Sequence, residues 1–355
     1  MIEDYGWSDA LRDAFAPHAA HGLIAGRVTV QQRGLCTAVT DMGELSARLS
    51  GRLEHEADEG GHPVVGDWVA LSARPEEGAA TIHALMPRRT AFLRKAANTV
   101  QTTQVVAANA DVAFLVASLN ADFNARRLER YLASAWQSGA QPVVVLTKAD
   151  LCPDPEPLIE EAEAVAIGAA VIPVSAVTGQ GMEALAAALP ARQTGVLVGS
   201  SGVGKSTLVN ALAGEDLMDT GAIREDDARG RHTTSHRELI RLPSGALILD
   251  TPGMRELGLL DAEAGLDATF ADIEALAGQC RFNDCAHERE PGCAVRAALE
   301  TGVLDPGRWK SFVKLGRELA MQERREDHLA REAHRRHWIN VNKGNRARRK
   351  LEGRW

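Results

Sequence analysis

Gly199, Ser200, Ser201, Gly202, Val203, Gly204, Lys205, Ser206 and Thr207 follow the apolar run Gly195–Val198 and match the spacing G-x-x-x-x-G-K-[ST]. A loop of this kind turns backbone N–H groups inward around phosphates. Lys205 supplies a point charge for the β- and γ-phosphates, and Ser206 offers a hydroxyl to Mg²⁺. The loop must leave a strand and open a helix, which the pattern places over Lys205–Leu212.

Two further groups of residues select the nucleotide. Asp250-Thr251-Pro252-Gly253 follows the buried-strand pattern Ala246–Leu249. A carboxylate there holds Mg²⁺, commonly through water, and the Gly253 N–H is placed to sense a γ-phosphate. Thr147-Lys148-Ala149-Asp150 follows the run Pro142–Leu146 and has the form of a base-reading motif. An aspartate can accept from N1–H and N2–H₂ of guanine, donors that adenine does not offer, and the Lys148 stem can lie across the base. Asp150 as a cap for a helix beginning near Pro155 is the plainer alternative. Ser175-Ala176, also at a strand end, resembles the element whose N–H meets guanine O6 and favours the GTP assignment. Thr147 stands where asparagine is commoner.

The order of these pieces is inverted. Base-reading elements at 147 and 175 precede the phosphate loop at 199 and Asp250, the reverse of a Ras-like GTPase, so the GTPase domain is circularly permuted. Rewiring of this kind keeps every strand contact when old termini lie close together. It places the switch segments next to the C-terminal part of the chain. Met254 stands where a Ras-like enzyme has its water-orienting glutamine, so another group must do that work. The polar segment Gly214–Arg237 reads as switch I, with Thr233 or Thr234 as an Mg²⁺ ligand and Thr234 preferred.

With these motifs the chain resembles the ribosome small-subunit-dependent GTPase A family of bacteria, circularly permuted GTPases that assist late maturation of the 30S subunit. The resemblance implies GTP hydrolysis stimulated by the small subunit and its 16S rRNA, with release of the enzyme or of another assembly factor. A GTP-regulated rRNA-binding adaptor, with incidental hydrolysis, is the alternative. His232 matches the histidine that precedes the threonines in the family and becomes the catalytic candidate; a solvated loop histidine would look the same in the sequence. Cys280-x4-Cys285-x-His287-x5-Cys293 has the spacing of that family's zinc site, one closed structural Zn²⁺ per chain. Disulfides are disfavoured by the expected cytoplasmic location. The other two cysteines, Cys36 and Cys152, read as buried small apolar residues.

The elements that carry these residues divide the chain. Residues 1–20 form an N-terminal arm. Residues 21–88 alternate between Gly, Asp and Pro signals as a small all-β domain of five-strand size, and the resemblance makes it an OB-fold barrel. Arg27, Arg33, Arg48 and Arg52 there are candidate phosphate contacts, although solvated strand residues would read alike. A linker spans 89–104 and the permuted P-loop GTPase core 105–260, with the continuous apolar strand Val112–Val116, a helix over Arg126–Ser138, and a parallel-rich sheet covered on both faces. A mainly helical zinc-binding domain with a basic tail takes 261–355.

Charge follows the same division. Residues 301–355 carry 15 Lys/Arg and 7 Asp/Glu, a balance of +8 within a chain of net charge −8. Such a tail suits RNA phosphates, and equally a solubilising role. The first residues have no basic and apolar leader pattern, and no run of about 18 apolar residues occurs. The expectation is a cytoplasmic monomer with no membrane association.

Overall fold

The computed structural model describes residues 1–32, 35–56, 61–95, 103–120, 123–218, 237–250, 263–321 and 324. Five strands, β1 (Ile24–Gln32), β2 (Leu35–Thr40), β3 (Gly43–Leu49), β4 (Trp68–Arg74) and β5 (Ala79–Leu85), close a barrel in the order β1-β2-β3-β5-β4 through the pairing of β1 with β4. Inward residues alternate with solvated ones along β3, where Leu45 and Ala47 are buried between exposed neighbours. They fill the barrel with Val28, Val69, Leu71 and Ile82. The short helix α2 (Gly51–Glu56) follows β3, where Ser50 Oγ accepts from Leu53 N and opens a turn. The arm is structured: α1 (Asp9–Ala19) is capped by Ser8 and buries Leu11 and Phe15 against Trp68.

The stretch read as a linker carries a hairpin. β6 (Ala91–Lys95) pairs antiparallel with β7 (Thr103–Ala108), and Phe92 and Val106 pack into the same core as the GTPase sheet. That sheet runs through β8 (Val112–Ser118), β9 (Gln141–Thr147), β10 (Ala170–Pro173), β11 (Thr194–Val198), β12 (Arg237–Arg241) and β13 (Leu247–Asp250), in the order β10-β9-β8-β11-β13-β12. All neighbours are parallel except β12, which runs antiparallel to β13. Helices α3 (Ala125–Ser138), α4 (Glu156–Val165), α5 (Met182–Ala187) and α6 (Lys205–Ala213) connect them. Two separate apolar clusters lie on the two faces, one around Leu128, Leu132 and Leu146 and one around Phe114, Leu208 and Ile248. Strands covered on both sides therefore read as unbroken apolar runs.

The barrel and the GTPase sheet are hydrogen-bonded to each other. β12 pairs antiparallel with β1, Val30 opposite Glu238 and Gln31 opposite Arg237, so one eleven-stranded sheet runs through both parts. Arg27 fastens the seam. Its guanidinium donates to the carbonyls of Gly66, Tyr5 and Asn109, it lies over the Trp68 ring, and it is 2% exposed. It is therefore not a phosphate contact, and burial lowers its pKa to about 10. Gly66, at φ +92°, approaches Ala108 so closely that a Cβ would stand 2.1 Å from the Ala108 carbonyl oxygen. Gly66→Ala is expected to destabilise the protein by at least about 2 kcal/mol, read as a shift in the chemical-denaturation midpoint, because the side chain meets both a backbone clash and a left-handed φ.

The C-terminal lobe comprises α7 (Glu263–Thr269), α8 (Ala271–Ala277), α9 (Ala294–Thr301) and a further helix, α10, over 306–321. It packs on α3. Gly265 allows the close approach, since a Cβ there would fall 2.1 Å from Ala133 O. Arg308 joins the parts: it reaches the fully buried Glu129 of α3 at 3.1 Å, forks onto Asp272 with two 2.8 Å bonds, and donates to Thr269 O. Burial pushes the Glu129 carboxyl above its usual range, against Ser311, Arg126 and Arg308. Arg130 pairs bidentately with Glu318 at 2.8 and 3.0 Å. Among the described residues no helix is long and apolar enough to cross a membrane.

Candidate functional site

The nucleotide motifs among the described residues each end a strand of the parallel sheet. The phosphate loop follows β11, the base-reading motif follows β9, Ser175-Ala176 follows β10, and Asp250 is the last residue of β13. Parallel strands aim their carboxyl ends at one edge, so four segments spread over about a hundred residues share one rim. The chain leaves β8 for β9 and β10 on one side and returns to β11 on the other. The crevice between β8 and β11 is thus a topological switch point, where ligands of open α/β sheets sit.

The loop from Gly199 to Gly204 is built on positive φ: Gly199 at 158°, Gly202 at 78° and Gly204 at 97°. At Gly199 a Cβ would lie 2.4 Å from Val116 O, so only glycine lets the loop pass over β8. Val203 is buried and anchors the loop from below, whereas Ser201 and Gly202 are exposed. Lys205 Nζ donates to Gly199 O at 2.7 Å and Ser200 O at 2.6 Å, which holds the ammonium inside the loop it serves. Ser206 is half-buried and Thr207 exposed in the first turn of α6. The N–H groups of a helix's first turn and the helix dipole favour an anion there.

The base-reading motif touches this loop directly. Thr147 Oγ1 lies 2.6 Å from Val203 O and 3.2 Å from Ala117 O, and Lys148 Nζ donates to Gly202 O at 2.9 Å. Thr147 thus tethers the base-reading motif to the phosphate loop through its hydroxyl. Lys148 adopts φ +60°, turning the chain so that Ala149–Leu151 forms a single tight turn with Asp150 exposed. Ala149 N donates to Val174 O at 3.2 Å, fixing the turn to the end of β10. Ser175 is fully buried; its hydroxyl accepts from Thr178 N and its carbonyl from Gly179 N, which leaves the half-buried Ala176 at the bend. Sequence reasoning missed Tyr131, whose hydroxyl reaches from α3 to within 3.5 Å of Ser200 Oγ. An aromatic in a helix carries no local signal of such a contact.

Asp250 is half-buried and pairs across the ladder with Glu238 of β12. β13 lies beside β11, so the carboxylate and the phosphate loop occupy neighbouring strand ends. His232, Thr233, Thr234, Gly253 and Met254 lie outside the described residues, as do the tail residues beyond 324.

A second cluster is arranged to hold a metal ion. One donor atom from each of Cys280, Cys285, His287 and Cys293 lies within 4.8 Å of the others. His287 Nδ1 is 3.5 Å from Cys280 Sγ and 3.4 Å from Cys293 Sγ, and the Cys280 and Cys293 sulfurs are 3.9 Å apart. The knuckle needs a left-handed residue, supplied by His287 at φ +61°. Cys293 caps α9, its sulfur accepting from Arg296 N, and Trp309 of α10 sets its ring edge-on to His287 at 5.7 Å. The remaining cysteines are half-buried in the barrel and beside α4; burial pushes the Cys36 thiol up to about 11, which keeps it an unreactive thiol.

Comparisons with known proteins agree with this geometry. A family model described as RsgA GTPase matches residues 85–260. The chain is 48% identical to the small ribosomal subunit biogenesis GTPase RsgA of Opitutus terrae, over 100% of this chain and 99% of that protein. It is 48% identical to the protein of the same name from Streptomyces coelicolor, over 89% and 86%. Among solved structures it is similar to YjeQ from Thermotoga maritima, at a TM-score of 0.62 and 25% identity over 84% of this chain and 99% of the other. It is also similar to YloQ, described as a circularly permuted GTPase, at a TM-score of 0.60 and 25% identity over 85% and 96%. With permuted nucleotide motifs on one rim, a barrel before them, a Cys3His cluster behind them and near-half identity along its whole length, this chain belongs to the RsgA GTPase family.

Proposed function

We propose that the chain binds the small (30S) ribosomal subunit and hydrolyses GTP to drive late 30S maturation, with hydrolysis triggering its own release or that of another assembly factor. The names of its relatives support the subunit as partner. One observation carries the nucleotide reading: Thr147 and Lys148 touch the carbonyls of Val203 and Gly202, so a base reader and a phosphate loop far apart in sequence border one crevice.

In this reading the N–H groups from Gly199 to Thr207 and the Lys205 ammonium hold the phosphates. Asp150, Lys148 and the Ser175-Ala176 bend hold guanine. Gly253 senses the γ-phosphate. Ser206, Thr234 and Asp250 are the Mg²⁺ ligands; hydroxyl and carboxylate oxygens are the hard donors this ion takes, and Ser206 and Asp250 stand at adjacent element ends. Mg²⁺ neutralises charge on the β- and γ-oxygens when bound. His232 orients the attacking water, in place of the glutamine absent at Met254.

Zinc suits the second cluster. Four ligands at usual Zn–S and Zn–N lengths in a tetrahedron place sulfurs ~3.8 Å apart and sulfur ~3.6 Å from nitrogen, near the 3.9, 3.5 and 3.4 Å found here. A closed set of three thiolates and an imidazole leaves no position for water and assigns the ion a structural role. The barrel, the lobe and the basic tail then grip 16S rRNA, and the protein works as a cytoplasmic monomer without a membrane partner.

Adding purified 30S subunits is expected to raise a weak intrinsic GTPase rate. His232→Ala should keep its GTP affinity while losing about 10²-fold in stimulated turnover, the usual scale for a positioned acid–base group. Undiminished stimulated hydrolysis in the variant would remove His232 from the mechanism, and no response to subunits in the parent protein would remove the partner.

A further inference from the structure

The seam between barrel and GTPase sheet opens into a cleft of about 850 Å³, bounded by β1, β2, β3, α2 and β5 of the barrel, the β6–β7 hairpin and the first residue of β12. None of its described lining residues belongs to the nucleotide crevice. Arg48, Arg94, Arg237 and His62 line it, with Glu54 as the acidic residue among the described lining. Arg94 Nε is buried and finds no hydrogen-bond partner among the described residues. Among the described residues Arg237 reaches a neutral acceptor, Gln31 Oε1 at 3.3 Å. Burial and the Arg94 charge both lower the Arg237 pKa, and the two guanidinium groups line one partly desolvated cleft. Like charges arranged in this way oppose folding unless an anion sits between them.

We propose that this cleft is a second phosphate site, in which Arg94 and Arg237 clamp one phosphate group with Arg48 in support. Two planar forks presented across a cleft match the tetrahedral oxygens of a phosphate, and each charge-assisted bond also relieves the repulsion between the arginines. The amide of Gln104, on the lining beside Arg94, adds a neutral donor. A cleft of this size is far larger than one ion and open enough for the phosphate to belong to a chain. The phosphate is carried either by an RNA backbone or by a free anion. The site lies one residue from the nucleotide rim: Arg237 precedes Glu238, which is the ladder partner of Asp250.

The test is calorimetric titration of the full chain saturated with Mg²⁺ and GDP, so that the phosphate loop is filled; nucleotide saturation is verified separately with a fluorescent GDP analogue. One arm uses inorganic phosphate and the other single-stranded hexauridylate. Binding of at least one probe is expected, with a loss of tenfold or more in the double variant Arg94→Gln/Arg237→Gln. Glu54→Gln, an exposed substitution that leaves the fold untouched, is expected to tighten binding about threefold by removing a like charge. Hexauridylate binding whose logarithmic salt slope shrinks by about 0.7 in the double variant identifies an RNA phosphate. Binding of inorganic phosphate alone identifies a free anion. Absence of binding by both probes overturns the proposal, as does undiminished binding in the double variant. Should the double variant melt early, an unchanged affinity in Glu54→Gln overturns it instead.

Discussion

Chelating the metal of the Cys3His cluster is expected to unfold the lobe over 263–321 while the GTPase sheet and barrel stay folded. Three of the lobe's four described helices are short, eight residues in α9 and seven in each of α7 and α8, well below the length at which helices persist alone. Its apolar core is small, centred on Phe270, Ile273, Val295 and Leu315. Units of this size depend on staples. The loop holding Cys280, Cys285 and His287 has little regular structure and is held by a few bonds, chiefly the Glu290 carboxylate accepting from Ala286 N, Glu288 N and Arg289 N, so an ion in the cluster would be its main staple. A structural zinc in such a setting contributes on the order of 10 kcal/mol, far more than the Arg130–Glu318 pair on the surface. Docking on α3 through Arg308 offsets only part of the loss, since that guanidinium needs Asp272 of α8 in place. The readout is amide hydrogen exchange over α7–α9, with Trp309 fluorescence as a local probe because its ring abuts His287. Cys285→Ser should reproduce the effect of chelation. Full protection of α9 after the metal is stripped would show that packing alone holds the lobe.

How much of this could be read from residues alone follows from how local each cause is. The phosphate loop, the turn at Asp150 and the cysteine cluster are set by side-chain type at fixed short spacing, and the structure builds them where the sequence places them. The apolar run of β8 announces a strand covered on both faces, and that is where it lies. The joins between parts were illegible. β1 meets β12 across some two hundred residues of chain, and neither strand carries a mark of its partner. Arg27 looked like a surface cation because its acceptors are backbone carbonyls from three distant segments, invisible in any pattern. Arg308 and Glu129 are one ion pair separated by 179 residues. The hairpin at 91–95 and 103–108 lacks a compact turn signal, so only its packing against the sheet distinguishes it from a linker. Thr147 shows the converse: the residue departs from the commoner asparagine, and its hydroxyl ties the motif to Val203 O, a bond no spacing pattern announces.

That tether makes the second large effect separable from damage to the fold. Asp150→Asn is expected to lower GTP affinity about 10²-fold and to raise affinity for xanthosine triphosphate, a combined change of roughly 10³-fold or more. The turn that carries Asp150 is fixed by Thr147, by the Lys148 bond to Gly202 O and by Ala149 N on Val174 O, none of which involves the aspartate side chain. Asparagine has the same shape, and the position is exposed, so the melting temperature should not move by more than a degree or two. What changes is the pattern of donors. A carboxylate accepts from both N1–H and N2–H₂ of guanine, whereas the amide meets the N2 donor with a donor of its own. Losing charged hydrogen bonds and facing donor to donor costs about 2–3 kcal/mol, or close to two decades in affinity. Xanthine carries a carbonyl at that carbon, so the same amide becomes complementary to it; sites that match polar groups in this way discriminate strongly. Competition between the two triphosphates for a fluorescent nucleotide measures both terms at once. Equal losses for GTP and xanthosine triphosphate would mean that Asp150 only shapes the loop, and unchanged GTP affinity would place the base somewhere other than the rim shared by β9, β10 and β11.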